Sequence, residues 1–326
     1  MAHFHYLGIM TNYRCTAACR HCLYCSSPAW QNGYLTPQKA EEISSLLHSD
    51  GVREVHIGGG EPFLDFEGLC ALVQALGRHH IGIQYIETNA YWCYDHHRAA
   101  EKLRRLKSLG VDYLMVSCDP FHAEFVPLRR VIQFIQWCQE ADMGFFVWKE
   151  QYLHRLLESG LSLDRPHTRA QLEQALGKDY IRQTAAEYGL GMNGRALNIL
   201  EEYGTPQPIE NLLTPTPCPS LTKLQDGHVD LEGMFLPGNC TGIALAMDKV
   251  IREEAHETYP LYHLLSTQGL AGLYDFAVVG QGFSPAASYP SRCAFCFALR
   301  AFLSKNGSYP ELYPAEFYDN RFYKRS

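Results

Sequence analysis

The chain has 326 residues, 46% of them apolar, with 28 Lys and Arg against 35 Asp and Glu for a net charge of −7. No apolar run approaches the roughly 20 residues of a membrane span, no basic stretch leads into an apolar one as in a secretory signal, and the acidic balance argues against a generic grip on nucleic-acid backbone. A cytoplasmic protein with neither membrane nor nucleic acid as partner is expected, and in that compartment the twelve cysteines point to metal or redox chemistry rather than disulfides.

In chain order, Phe4–Met10 reads as a strand, and Thr36-Pro37 starts a helix that runs to about Leu47, with Pro just inside the start. Strands follow at Val52–Ile57, Ile81–Glu87, Tyr113–Cys118 and Gly144–Trp148, separated by helices at Phe66–Arg78, Arg98–Leu109 and Arg129–Glu140. Helical segments come next near Gln151–Gly160 and Arg169–Gly189, then a sixth strand at Ala196–Leu200. Alternation at this pitch predicts an α/β fold with a parallel sheet, curled into a partial (β/α)6 barrel of the TIM type. After Tyr203 the texture changes: Thr205-Pro206-Gln207-Pro208 and Thr214-Pro215-Thr216-Pro217 interrupt regular structure. A boundary is therefore expected between residues 1–203 and a smaller, loop-rich α+β segment, 204–326.

The chemistry gathers where barrel enzymes place it, at the C-terminal ends of strands. Cys15, Cys19 and Cys22, spaced C-x3-C-x2-C, follow the first strand. On spacing alone they suit either a zinc ion, with Cys25 or His21 completing the tetrahedron, or an iron–sulfur cubane with one iron left open. Gly58-Gly59-Gly60-Glu61-Pro62 ends the second strand, Glu87-Thr88-Asn89 the third, and Ser117-Cys118-Asp119-Pro120-Phe121-His122 the fourth. Three successive glycines remove side chains where backbone must come close to a ligand.

The cysteine motif together with Gly59-Gly60-Glu61-Pro62 resembles the radical S-adenosylmethionine (radical SAM) superfamily over about residues 4–200. The resemblance implies that Cys15, Cys19 and Cys22 hold a [4Fe-4S] cluster whose open iron binds S-adenosylmethionine. One-electron reduction, from a donor such as flavodoxin or ferredoxin, then yields a 5′-deoxyadenosyl radical that abstracts hydrogen from a substrate. It further implies that Gly59, Gly60 and Glu61 contact the methionine part. Thr88, Asn89, Ser117 and Asp119 are candidates for its nucleoside or carboxylate, and Arg195 for a carboxylate partner.

A second set, Cys218, Cys240 and the C-x2-C pair Cys293 and Cys296, follows the boundary. Four thiolates close either a zinc site or a second [4Fe-4S] cluster. Beside a radical SAM barrel the set resembles the twitch domain, the short form of the SPASM appendix, with the hairpin expected at His228–Phe235 around Gly233. That resemblance implies an auxiliary cluster that passes electrons. Cys70, Cys118 and Cys138 read as packing. Cys25 is the candidate catalytic thiol, able to return a hydrogen atom to a substrate radical, with Cys93 a weaker one. Tyr24, Tyr91 and Trp92 are candidate cavity lining, and His122 a candidate base. The expected substrate is a peptide such as a natural-product precursor, or alternatively a small metabolite such as a sugar or cyclitol. With the first strand at Phe4, no winged-helix extension is expected ahead of the barrel.

Overall fold

The computed structural model describes residues 4–31, 33–188 and 193–319. Five parallel strands form the barrel wall: β1 (Tyr6–Met10), β2 (Glu54–Gly58), β3 (Gly82–Thr88), β4 (Tyr113–Ser117) and β5 (Gly144–Trp148), each beside its predecessor. Helices α1 (Pro37–Asp50), α2 (Phe66–Arg78), α3 (His96–Ser108) and α4 (Leu128–Glu140) connect them. Local chemistry sets their ends. The Thr36 hydroxyl accepts the Lys39 N–H with Pro37 in the first turn, and Asp65 and Asp95 cap α2 and α3 in the same way. Gly51 closes α1 in the left-handed conformation that glycine adopts freely. The buried faces of α1–α4, carrying Leu47, Leu72, Leu103 and Phe134, join the side chains of Val55, Ile57, Ile86 and Leu114 in one core, which also takes in Cys138; Cys70 is likewise buried on α2.

The expected sixth strand is a correction. Gly194–Ala196 is a 3-10 turn and residues 197–203 are α-helical. A short apolar run such as Leu197–Leu200 does not distinguish strand from helix by period alone, and the Arg195 N–H here bonds the Cys22 carbonyl. The long helix expected from Arg169 is two, α6 (Arg169–Leu176) and α7 (Tyr180–Tyr188), following α5 (Gln151–Glu158). They part at Gly177, whose φ of 95° few other residues adopt; the expected end at Gly189 lies outside the described residues.

Beyond residue 203, β6 (Gln207–Pro208) pairs antiparallel with β10 (Ser288–Tyr289). The hairpin of β7 (Gly227–Val229) and β8 (Met234–Pro237) forms where expected, turning through Gly233 at φ 83°. β9 (Leu245–Ala246) extends it. β7 lies parallel to the free edge of β1, with Gly8 opposite His228, so one eight-stranded sheet runs in the order β5-β4-β3-β2-β1-β7-β8-β9. Among the described residues no helix is long and apolar enough to cross a membrane.

Candidate active site

The loops after β1 and β2 are stitched together before any ligand is considered. The Gly60 N–H donates to the Asn12 carbonyl at 2.7 Å, and the Glu61 N–H to the Arg14 carbonyl at 3.0 Å. Asn12 adds its side chain: Oδ1 accepts from the Gly60 and Glu61 N–H groups, and Nδ2 donates to the Glu61 carbonyl. Gly59 sits at φ 137°, and a Cβ on Gly60 would lie 1.9 Å from the Arg14 carbonyl oxygen. The glycines are there because the cysteine loop leaves no room for side chains.

Glu61 turns inward. Its carboxylate accepts from the Phe63 N–H (3.1 Å), the Thr88 hydroxyl (2.9 Å) and the Asn89 N–H (2.8 Å). Thr88 in turn accepts from the Ala90 N–H and the Trp92 indole. Burial pushes the Glu61 carboxyl up to about 7 despite these donors. The Glu61 and Thr88 side chains therefore tie β2 to β3, while Asn89 donates outward, to Thr16 Oγ1 at 3.0 Å and to the Cys15 sulfur at 3.5 Å.

Cys15, Cys19 and Cys22 line a cavity of about 360 Å³ at the C-terminal mouth of the barrel, together with Gly59, Gly60, Glu61, Thr88, Asn89 and Ser117. Backbone N–H groups point at the sulfurs: Ala17 to Cys15 at 3.4 Å and Ser26 to Cys22 at 3.3 Å. Three thiols at one rim, each of two receiving an N–H donor, fit an iron–sulfur cluster, whose sulfurs are tuned by such bonds. Asp119 lies just behind. Its oxygens accept from the Phe121 and His122 N–H groups, from His122 Nδ1 and from the Tyr188 hydroxyl, both of the last at 2.5 Å. Burial alone would raise the Asp119 carboxyl, but His122 and His21 outweigh it and hold it well below the usual range. Among the described residues, His21, Asp119 and His122 also form the one group with ligand atoms within 4.8 Å of each other, yet Asp119 is already taken up by its donors.

Three sequence expectations meet a different geometry. Arg195, only 2% exposed, donates to the carbonyls of Cys19 (2.8 Å), Cys25 (2.5 Å) and Ser26 (2.9 Å). Buried and donating to three carbonyls, it clamps the cysteine loop. Cys25, 1% exposed, is not among the residues that line the cavity. It has φ 50°, its carbonyl accepts the Trp30 indole N–H, and burial pushes its thiol up to about 12. Cys93 is fully buried and also absent from the lining, against the core beside Cys138. Of the flanking aromatics, Tyr24 lines the cavity, whereas Tyr91 and Trp92 pack toward Phe63.

Cys218, Cys240 and the pair Cys293 and Cys296 come from three places in the chain and lie near one another: burial raises the thiols of Cys218, Cys240 and Cys293, and fellow members of the set raise them further, with Arg300 acting against them. The buried Arg300 stands beside Cys240 and Cys296, and its Nε has no hydrogen-bond partner among the described atoms. A buried cation facing convergent thiols fits a set that carries negative charge when metallated.

Sequence reasoning passed over Asn12 and His56, and gave Glu87 and His228 no role in the site. His56 and His228 face each other with Nε2 atoms 2.9 Å apart, and His228 Nδ1 meets the Tyr24 hydroxyl at 2.7 Å. Asn12 was findable, as a short polar residue opposite the glycine loop. The histidine pair was not, because β7 comes to β1 from more than 200 positions along the chain.

An α/β partial barrel with a three-cysteine loop bound to a glycine-rich loop defines the class. Residues 9–143 match the family model described as the Radical SAM superfamily, so this part of the chain is a radical SAM domain. One curated relative, "Putative peptide biosynthesis protein YydG" of Bacillus subtilis, is 25% identical over 157 residues, 47% of this chain and 49% of the relative. The mitochondrial GTP 3',8-cyclase of Arabidopsis thaliana is 30% identical over 135 residues, 38% of this chain and 32% of the relative. The chain thus matches about half or less of these curated proteins. Among solved structures, native anSMEcpe with bound AdoMet shows a TM-score of 0.46 at 13% identity, covering 91% of this chain and 95% of that one. SuiB of Streptococcus suis bound to the precursor peptide SuiA shows 0.40 at 13%, covering 90% and 76%.

Proposed function

We propose that the protein reductively cleaves S-adenosylmethionine and directs the resulting radical at a peptide, with a C-terminal auxiliary [4Fe-4S] cluster in the chain. The observation that carries the reading is the joining of the Cys15–Cys22 loop to the Gly58–Glu61 loop through Asn12 at one cavity rim. When bound, a [4Fe-4S] cluster with S-adenosylmethionine supplies a 5′-deoxyadenosyl radical; the chain's own residues orient and enclose it. Cys15, Cys19 and Cys22 would hold the cluster, and Arg195 keeps their loop in shape. Gly59 and Gly60 let the two loops close and present their backbone to the space for the methionine part, Asn89 and Ser117 face the same space, and Asp119 fixes His122 at its edge. Walls of Tyr24, Trp148 and Tyr188 exclude water from a carbon radical. The peptide class is supported by the printed function of the Bacillus relative. Cys218, Cys240, Cys293 and Cys296 would close the auxiliary cluster.

The test is anaerobic reconstitution of the full chain followed by dithionite reduction. Formation of 5′-deoxyadenosine, abolished by Cys15→Ala, Cys19→Ala and Cys22→Ala together, supports the reading. About eight irons and eight sulfides per chain support two cubanes, and about four reduce the C-terminal site to zinc or to packing. Peptides that gain deuterium from heavy water support the substrate class, and consumption of a sugar or cyclitol instead overturns it.

A further inference from the structure

One end of the cavity, around Glu87, carries polar groups to which the chemistry above assigns no role. Its central group is Glu87, next to the last residue of β3, on the same strand face as Tyr85. Two wall positions are cut back to make room around it. A Cβ at Gly58 would lie 2.8 Å from Glu87 Oε2, and a Cβ at Gly8 would lie 2.2 Å from the His228 ring and 2.6 Å from the His56 ring. Glycine on two adjacent strands therefore seats one carboxylate and an imidazole pair. Around them stand Tyr85, stacked on His56 at 5.2 Å, and Tyr24, bonded to His228.

The charges of this end do not balance. No Lys or Arg is among the described residues that line the cavity. His56 lies 3.9 Å from Glu87 Oε1, but burial holds His56 down to about 4 and His228 to about 3, so both imidazoles are neutral near pH 7. His122, the charged imidazole nearby, is committed to Asp119 at 2.5 Å. Glu61 has its three donors. Glu87 remains as an acidic group without a hydrogen-bonded cation among the described residues, with 34% of its side chain exposed, bordered by aromatic faces that favour cations.

We propose that Glu87, with Tyr85 and His228 beside it, binds a cationic nitrogen of the substrate, an ammonium or guanidinium carried by a peptide side chain or terminus. The inference rests on the proposed peptide chemistry and adds to it a specificity determinant. Burial and the neighbouring Glu61 push the Glu87 carboxyl up to about 7. An arriving cation favours its ionised form and so gains affinity that a neutral group does not.

The probe is a pair of short-peptide pools, randomised except for one central lysine that is free in one pool and Nε-acetylated in the other. Equal mixtures are offered to the reconstituted full-length protein with S-adenosylmethionine, and the retained peptides are counted by mass spectrometry. The free-lysine pool is expected to be enriched about tenfold on the unchanged protein, and Glu87→Gln to bring that ratio close to one. Glu158→Gln, the same charge change on an exposed helical position, should keep the enrichment. Equal retention of both pools, or enrichment that survives Glu87→Gln, overturns the proposal. So does a Glu87→Gln protein that keeps the ratio but needs more S-adenosylmethionine for half-maximal cleavage, since the carboxylate then serves the ammonium of that molecule. Failure of the underlying reading is separate: the unchanged protein would form no 5′-deoxyadenosine.

Discussion

Gly60→Ala tests the joining of the two loops most directly. The added Cβ falls 1.9 Å from the Arg14 carbonyl oxygen, 2.4 Å from its carbon and 2.8 Å from the Tyr13 carbonyl carbon, all backbone. Real Cβ atoms do not come within about 3.0 Å of such atoms, so the loops must separate by about 1.1 Å, the difference between 3.0 and 1.9 Å. No flexible side chain is available to absorb the shift. Arg14 directly precedes Cys15, and its carbonyl holds the Glu61 N–H, so the displacement passes to the first cluster ligand and to the carboxylate that ties β2 to β3. Overpacking of this kind costs about 1–3 kcal/mol of stability, and a misplacement of about 1 Å at a reactive site costs about a hundredfold in rate. The expected outcome is a folded protein that forms 5′-deoxyadenosine about a hundred times more slowly, measured with iron content on the same sample. Gly77→Ala is the control, since nothing lies within 4 Å of a Cβ there. A Gly60→Ala protein with undiminished cleavage would refute the claim that the loops act as one piece.

Arg195→Ala should leave the buried carbonyls of Cys19, Cys25 and Ser26 without their charged donor, at about 1–3 kcal/mol for such a loss; iron bound at the amino-terminal site should fall, and circular dichroism should show the barrel intact. Cys25→Ser and Cys93→Ser should each still release 5′-deoxyadenosine at close to the unchanged rate and convert substrate normally, because neither thiol reaches the cavity; loss of product with cleavage retained would reinstate a hydrogen-donor role. Glu87→Gln should also change the pH dependence of the metal-free protein's stability. A carboxyl raised from 4.5 to about 7 on folding contributes stability that is present below pH 4.5 and lost as pH rises through about 7. Urea midpoints measured across that window should therefore fall less with rising pH in Glu87→Gln than in the unchanged protein.

Much of the architecture was legible because it is written locally. Alternating strand and helix patterns and the helix start at Thr36-Pro37 depend on neighbours a few positions away, and β1–β5 and α1–α4 form where these signals stand. The sixth strand failed for the same reason: Leu197–Leu200 is too short for period to separate strand from helix, and contact of Arg195 with the cysteine loop decided for helix. The cysteine and glycine motifs were legible because their spacing limits what they can hold. The roles inside the motifs were less so. Glu61 and Thr88 sit in motif positions but spend their polar atoms on each other and on the backbone, and Cys25 follows the cluster loop yet points into the core.

By itself, the order of residues determined the five parallel strands, the loops that carry chemistry at their ends, and the two sets of cysteines, since each depends on short-range propensity or on a spacing. Only the tertiary structure decided which polar groups face the cavity and which are consumed in holding it. That choice depends on burial and on partners brought from far along the chain, as when β7 carries His228 to Gly8 or a distant turn carries Arg195 to Cys19. A hydrogen bond or a vacated Cβ position exists only once both sides are in place, and no local pattern records it.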